Sequence, residues 1–147
     1  MSRDDSTAIL NLLYRYAEFI DLGRLEDAAA LFADAQVKVR GGELMDSGAL
    51  LERWRSVMVI YDDGTPRTKH VITNPIVEID PDTATATCRS YYTVLQEASG
   101  VIKVVVAGRY HDRFRRVDGA WRFDFRDYSL ADHWGDAATH IQGFSRS

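Results

Sequence analysis

The sequence predicts an α+β domain in which three helices from roughly the first 60 residues pack against one face of a curved antiparallel β-sheet. Apolar residues recur at helical spacing up to about residue 59, whereas from Lys69 onward they alternate with polar residues. The pairs Ser99-Gly100 and Asp118-Gly119 separate long alternating segments and are typical of hairpin turns. Because a curved sheet closed by helices encloses an apolar volume, the fold class also predicts a ligand cavity.

The first helix is predicted to begin at a cap formed by Ser6 or Thr7 and to end near Leu22. Gly23 then supplies the left-handed conformation that closes a helix. The apolar stripe of this helix contains Ile9, Leu13, Tyr16 and Ile20. Asp21 borders the stripe at the helix end where the peptide dipole disfavours negative charge. Local rules tend to fail at functional sites, so Asp21 is a candidate functional residue.

The remaining elements follow from the same patterns. A short helix is predicted over 25–32, and a third helix is capped by Ser47 and runs through about residue 59. Strands are predicted over 36–40, 69–73, 76–80, 83–96, 101–116 and 120–130. The length of 147 residues suits one domain, in which the tail 131–147 is expected to cover the opening of the pocket.

Composition and charge limit the classes of partner that the protein is expected to bind. The chain has 18 Lys and Arg against 22 Asp and Glu, a net charge of −4, which argues against nucleic acid and anionic membranes. No apolar run reaches the ~20 residues of a membrane span, and no signal segment is recognised. We therefore expect a cytoplasmic protein without a nucleic-acid or membrane partner. Cys88 is alone and is interpreted as a small buried residue.

No glycine-rich phosphate loop or metal-binding motif is present in the sequence, so we expect neither a cofactor nor a metal. The tail contains His133, Asp136 and His140, whose spacings of three and four suit one face of a helix. Asp132 and Gly135 disfavour a helix there. We interpret these histidines as solvated rather than as metal ligands.

Three segments of the sequence resemble the SnoaL-like branch of the nuclear-transport-factor-2-like superfamily. They are the end of the first helix with the following residues, YAEFIDLGRLEDAAALF, the segment RTKHVITN, and the terminal strand pair GRYHDRFRRVDGAWRFDFR. The resemblance covers about residues 6–130 and implies a cone-shaped α+β barrel with a deep pocket. The superfamily includes scytalone dehydratase, a lindane dehydrochlorinase, bile-acid 7α-dehydratase, ketosteroid isomerase, polyketide cyclases and non-catalytic subunits.

The same resemblance implies a set of catalytic residues. In the dehydratase and dehydrochlorinase group, an Asp at the end of the first helix pairs with a His on the sheet. The bile-acid enzyme also has a Tyr five positions before that Asp. Tyr16, Asp21 and His70 match this spacing. The resemblance thus implies that His70 is a general base, that Asp21 orients it, and that Tyr16 donates a hydrogen bond to the substrate.

Three other residues are candidates for substrate binding. Tyr110 shares a strand face with Gly108 and is a possible donor into the cavity. Trp54 packs the third helix and is able to line the cavity as well. Arg126 either pairs with a buried carboxylate or binds an anionic group of the substrate. An ordinary core role remains open for Tyr16, Tyr110 and Trp54.

The leading functional hypothesis is a cofactor-independent lyase or isomerase that acts on a small hydrophobic cyclic molecule, most simply by a dehydratase-type β-elimination. Two alternatives remain open from the sequence. One is a non-catalytic ligand-binding or structural subunit of the same fold, and the other is a polyketide-type cyclase. A separation of Asp21 and His70 beyond hydrogen-bonding distance would favour the non-catalytic subunit.

We predict that the protein forms a homodimer or a higher oligomer through its sheet. The strands over 83–116 carry more apolar side chains than one core needs, among them Tyr91, Tyr92, Val94, Val104 and Val105. Sedimentation at micromolar concentration should therefore give the mass of two or more chains. The mass of a single chain would contradict the prediction.

Overall fold

The computed structural model describes residues 3–144 and has one curved, unclosed sheet with three helices. The predicted α+β class is confirmed. The helices are α1 (Arg3–Asp21), α2 (Leu25–Ala30) and α3 (Ser47–Val57). The strands are β1 (Gln36–Lys38), β2 (Leu44–Met45), β3 (Thr68–Asp80), β4 (Thr85–Ala98), β5 (Val101–Val117), β6 (Ala120–Asp127) and β7 (His133–Trp134).

The strands are arranged in the order β2-β1-β6-β5-β4-β3, and β7 pairs with the part of β5 that extends beyond β6. The three longest neighbours, β3, β4 and β5, are antiparallel, as the alternation of the sequence predicts. β1 is an exception, because it pairs with β6 in parallel. The chain reaches β1 from the helices rather than through a hairpin, so it is free to take this direction.

Two predicted boundaries are wrong, each for a local reason. The segments 69–73 and 76–80 belong to one strand, β3, because a shift of register between Thr73 and Ile76 absorbs the irregular Asn74-Pro75 pair. Helix α1 begins at Arg3, so Ser6 and Thr7 lie inside it rather than at its cap.

The N-terminal cap of α3 is Asp46 and not Ser47. The Asp46 carboxylate accepts a hydrogen bond from the amide of Ala49 at 2.9 Å. Both residues are good caps, and the chain selects the one that stands where its extended backbone turns into the helix. The two predicted hairpin turns are confirmed, since Ser99-Gly100 and Asp118-Gly119 have positive φ at both positions.

The core lies between the helices and the sheet. The predicted stripe of α1 is buried there, together with large aromatic residues of β5, β6 and the turn after α2, and with Cys88 of β4. The fully buried aromatic residues are Phe32, Phe114 and Phe123. No helix in residues 3–144 combines the length and the apolar character that crossing a bilayer requires.

The tail after β6 returns to the end of α3. Within it, Ile141 forms a bridge with Met58, the residue that follows α3. The Val59 amide donates to the carbonyl of His140 at 2.9 Å, and the Gln142 amide donates to the carbonyl of Val57 at 2.8 Å. We call residues 137–142 the strap. These bonds fix the strap against the end of α3.

The face of β3, β4 and β5 opposite the core is turned to solvent and carries a group of apolar side chains. Its exposed members are Val71, Ile76, Tyr91, Ile102 and Val104. Of the residues named for self-association, Tyr91 and Val104 lie on this face, whereas Tyr92, Val94 and Val105 are buried. The apolar surplus that the sequence indicates is therefore divided between the core and an exposed surface.

Gly23 fixes the end of α1 against the loop before β3, and its substitution should separate a steric effect from a backbone effect. Its φ is +76°, and a Cβ built on it would lie 2.0 Å from the carbonyl oxygen of Gly64. Gly41 also has a positive φ, but nothing lies within 4 Å of an added Cβ. We predict that Gly41→Ala lowers the free energy of unfolding by about 1–2 kcal/mol and that Gly23→Ala lowers it further.

Urea denaturation of the two variants and the unsubstituted protein measures this difference. The backbone strain is common to both alanines, so any additional loss in Gly23→Ala reports the contact with Gly64. Equal losses in the two variants would contradict the prediction.

Candidate active site

Asp21 and His70 are joined by a hydrogen bond in the interior of the fold. The Nδ1 atom of His70 lies 2.7 Å from Oδ1 of Asp21, and the two side chains are only 6% and 9% exposed. A carboxylate only accepts, so Nδ1 of the neutral ring carries the hydrogen. The Nε2 atom is then left with a free lone pair, as a general base requires.

Asp21 receives two more hydrogen bonds from β3. The backbone amide of His70 donates to Oδ2 at 2.8 Å, and the hydroxyl of Thr68 donates to Oδ1 at 2.8 Å. Burial raises the pKa of Asp21, but the hydrogen bonds from His70 and Thr68 outweigh it, so the pKa lies below its usual value. The carboxylate is therefore ionised. The hydrogen bonds that it accepts from β3 offset the unfavourable helix dipole at the end of α1.

Thr68 is a site residue that the sequence interpretation missed. It is buried, and it precedes His70 by two positions on the same strand. Residues two apart in a strand share a face, so the spacing contained a signal for it. What the spacing lacked was any indication that this end of β3 would pack against the end of α1.

His70 faces a cavity of about 490 Å³ between the helices, the sheet and the tail. Three predicted site residues, Tyr16, Trp54 and Tyr110, also line it. The rest of the wall is largely apolar, with aromatic rings from β4, the tail and the segment after β6: Tyr92, Tyr128, Trp134 and Phe144. Two arginines, Arg40 and Arg53, contribute exposed side chains to the same wall.

The rings of Tyr16 and Tyr110 meet edge to face with their centroids 6.0 Å apart. The His70 ring also lies 6.0 Å from Tyr16, so the three groups are clustered around one point of the cavity. Burial raises the pKa of both tyrosines, and the positive charge of Arg126 offsets this only in part. Both phenols are therefore neutral and able to donate hydrogen bonds.

Arg126 lies beneath these tyrosines rather than on the cavity wall. It forms a buried bidentate ion pair with Asp112, with distances of 2.7 and 2.9 Å. Its guanidinium carbon is 3.8 Å from the ring centroid of Tyr110 and 4.5 Å from that of Tyr16. Of the two roles considered for Arg126, the geometry matches the pair with a buried carboxylate. The pair supports the tyrosines from below.

His140 is a second histidine of the cavity that the sequence interpretation missed. We expected solvated histidines in the tail, but His140 is only 7% exposed and lines the cavity. The expectation is wrong because it treated the tail as a free end, whereas the strap is bonded to α3. His133 is exposed on β7, as expected. Among residues 3–144, no three His, Cys, Asp or Glu side chains are grouped to hold a metal ion.

Comparison with known families gives the identity of the fold. The sequence model of the SnoaL-like domain matches residues 1–127. The chain belongs to the SnoaL-like family. The match covers most of the chain and ends before the strap, so it includes Tyr16, Asp21 and His70 but not His140.

Solved structures of similar proteins agree with this SnoaL-like assignment. A variant of Rv3472 from Mycobacterium tuberculosis, a protein of unknown function, is 26% identical with a TM-score of 0.71 over 86% of this chain and 76% of that one. An NTF2-like protein with a cystatin-like fold from Novosphingobium aromaticivorans is also 26% identical, with a TM-score of 0.71 over 92% and 86%.

A third similar structure carries a functional description. A candidate scytalone dehydratase from Novosphingobium aromaticivorans is 22% identical, with a TM-score of 0.64 over 84% of this chain and 81% of that one. At this identity the likeness shows the fold alone. No curated protein matches the sequence.

Asp21→Asn should destabilise this SnoaL-like domain in a pH-dependent manner. Because folding lowers the pKa of Asp21, its stabilising contribution is complete above the ordinary pKa near 4 and is lost as the pH falls through the lowered value. At pH 7 we predict a loss of about 1–3 kcal/mol in the free energy of unfolding, because the amide replaces an ionic acceptor of three bonds.

Urea denaturation at pH 7 and at pH 3–4 tests this dependence, with Asp62→Asn as the control at an exposed loop position. The difference between Asp21→Asn and the unsubstituted protein should narrow at the acidic pH. A difference that is the same at both pH values would show that the carboxylate charge is not what stabilises this site.

Proposed function

We propose that the protein is a cofactor-independent lyase or isomerase and that its reaction is a dehydratase-type β-elimination on a small hydrophobic cyclic molecule. The observation that carries the proposal is the buried bond of 2.7 Å between Asp21 and His70. It leaves one imidazole nitrogen free at the wall of an apolar cavity. The bond has the length of a charge-assisted hydrogen bond, and such a pair is a recognised arrangement for a general base.

His70 is the group that moves the proton. Its Nε2 removes a proton from the carbon next to a carbonyl or other activating group, while Asp21 stabilises the imidazolium that forms. The electrons of the broken C–H bond form the new C=C bond, and the C–O bond of the neighbouring hydroxyl breaks. The imidazolium returns its proton to the leaving oxygen, so that water departs and the neutral base is restored.

Tyr16 and Tyr110 supply the complementary polarisation. Their hydroxyls are neutral donors near His70, and one of them is able to bind the carbonyl oxygen on which negative charge develops. A phenol hydroxyl carries one hydrogen, so each of the two tyrosines is able to offer one donor to the substrate. The guanidinium of Arg126 lies beneath both rings and acts to lower the pKa of both phenols, against the effect of burial.

The class of substrate follows from the wall of the cavity. A volume of about 490 Å³ suits a small molecule, and the predominance of aromatic and aliphatic side chains favours a flat or compact apolar ring. Trp54 and Tyr92 contribute such surfaces. The description of a protein of similar fold as a candidate scytalone dehydratase is consistent with a dehydration.

Substitution of the base gives the direct test. With cyclic β-hydroxyketones as substrates, dehydration produces a conjugated enone that is followed by its near-ultraviolet absorption. We predict that His70→Gln lowers kcat by about 10²- to 10⁴-fold, the usual contribution of a positioned acid–base group. Asp21→Asn should also lower kcat, because it removes the group that fixes the tautomer of His70.

His111→Gln is the matched control, since His111 is an exposed histidine of the same sheet. It should retain full turnover. Equal rates in the protein and in both site variants would overturn the proposed chemistry. Binding of the ketones without turnover in any of them would instead support a non-catalytic ligand-binding subunit, and formation of a ring-closed product from polyketide substrates would support a cyclase.

We also propose that a second copy of this chain covers the exposed apolar face of β3, β4 and β5. Tyr91 is 55% exposed and Ile76 50% exposed on neighbouring strands, and Val104 continues the apolar surface onto β5. A face shared by two identical chains would be self-complementary. The sedimentation measurement described above is the test of this association.

A further inference from the structure

The imidazole of His140 lines the cavity without a bonded partner for one of its nitrogens. Its Nδ1 atom is buried and makes no hydrogen bond to any residue in the described range 3–144. The residue as a whole is only 7% exposed. Buried polar side chains are nearly always hydrogen-bonded, so an unpaired nitrogen in a residue that lines a cavity indicates a site that a ligand completes.

The strap holds this imidazole in place before any ligand arrives. The carbonyl of His140 accepts from the Val59 amide, as described above. The buried Gln96 of β4 clamps the preceding residue, because its Nε2 donates to the Thr139 carbonyl at 3.1 Å and its Oε1 accepts from the Thr139 hydroxyl at 2.7 Å. Because the backbone that carries the imidazole is already fixed, this part of the chain loses little conformational entropy on binding.

The environment keeps the ring neutral. Burial lowers the pKa of His140 to about 4, and the neighbouring His70 contributes in the same direction while Asp21 opposes it. At neutral pH the ring therefore offers one N–H donor and one acceptor nitrogen. A hydroxyl group, which both donates and accepts, satisfies the unpaired nitrogen in either tautomer.

We propose that His140 binds a hydroxyl group of the substrate that is distinct from the group on which His70 acts. The inference rests on the proposed function for the nature of the substrate as a ring molecule, and it specifies that ring as a diol or polyol. His140 lies beyond the residues 1–127 that match the SnoaL-like model, so this contact comes from the chain's own tail.

The test is the affinity of the protein for aromatic alcohols with one or two hydroxyls. Tryptophan fluorescence is a suitable signal, because Trp54 and Trp134 line the cavity. The probes are resorcinol, hydroquinone and 4,4′-biphenol, each compared with its parent, phenol or 4-phenylphenol. One added hydrogen bond should make at least one diol bind about 3- to 12-fold more tightly than its parent.

Substituted proteins show which residue is responsible for the tighter binding of the diol. His140→Phe should abolish the preference and leave the affinity for the parent unchanged, whereas His140→Gln, which keeps an acceptor, should retain part of it. His133→Phe is the matched control in the same tail and should keep the full preference. His70→Gln should keep it as well, so failure of the proposed base would not be mistaken for failure of this inference.

Two results would overturn the proposal: the absence of any diol preference in the unsubstituted protein, or its survival in His140→Phe. If His140→Phe does not fold, ¹⁵N spectra of the unsubstituted protein decide the question. Addition of the preferred diol should shift the Nδ1 resonance of His140, and its parent should not. An unchanged resonance would also refute the assignment.

Discussion

The Asp21 carboxylate is the point at which the helical layer and the sheet of this protein depend on each other. It stands at the end of α1, where the helix dipole gives it no support. Its three hydrogen bonds all come from the first residues of β3. The bonds fix the helix to the edge of the sheet and at the same time set the orientation of the His70 ring. The same hydrogen bonds thus stabilise the packing of the helix on the sheet and orient the reactive nitrogen of His70.

The cavity depends on this junction and on a second one at the opposite end of the chain. The strap is bonded to the end of α3 and to Gln96, and it places His140 on the same wall as His70. Between them, the stacked rings of Tyr92 and Tyr110 and the edge of Tyr16 form a rigid aromatic surface. A cavity held open by bonded walls on several sides is preorganised for a ligand.

Charge inside the core is confined to places where it is paired. Arg126 and Asp112 neutralise each other below the tyrosines, and the Asp112 carboxylate raises the pKa of Arg126 even though burial opposes this. The tyrosines above remain neutral because burial raises their pKa. The polar groups of the wall thus differ in kind. His70 offers a free lone pair, the phenols offer hydrogens, and His140 offers a neutral ring.

The sequence by itself determined the helices, the long strands after β3 and the residues of the Asp21–His70 pair. Periodicity and hairpin pairs depend on neighbouring residues, so the stripe of α1, the long strands and the two turns followed from local patterns. The pair followed from a family spacing, since no local pattern relates positions 49 apart. Only the tertiary structure decided that Thr68 donates a hydrogen bond to Asp21, that Arg126 pairs with Asp112, and that His140 is buried at the cavity. Each of these depends on which distant segments meet, and that is set by packing and not by the sequence around the residue.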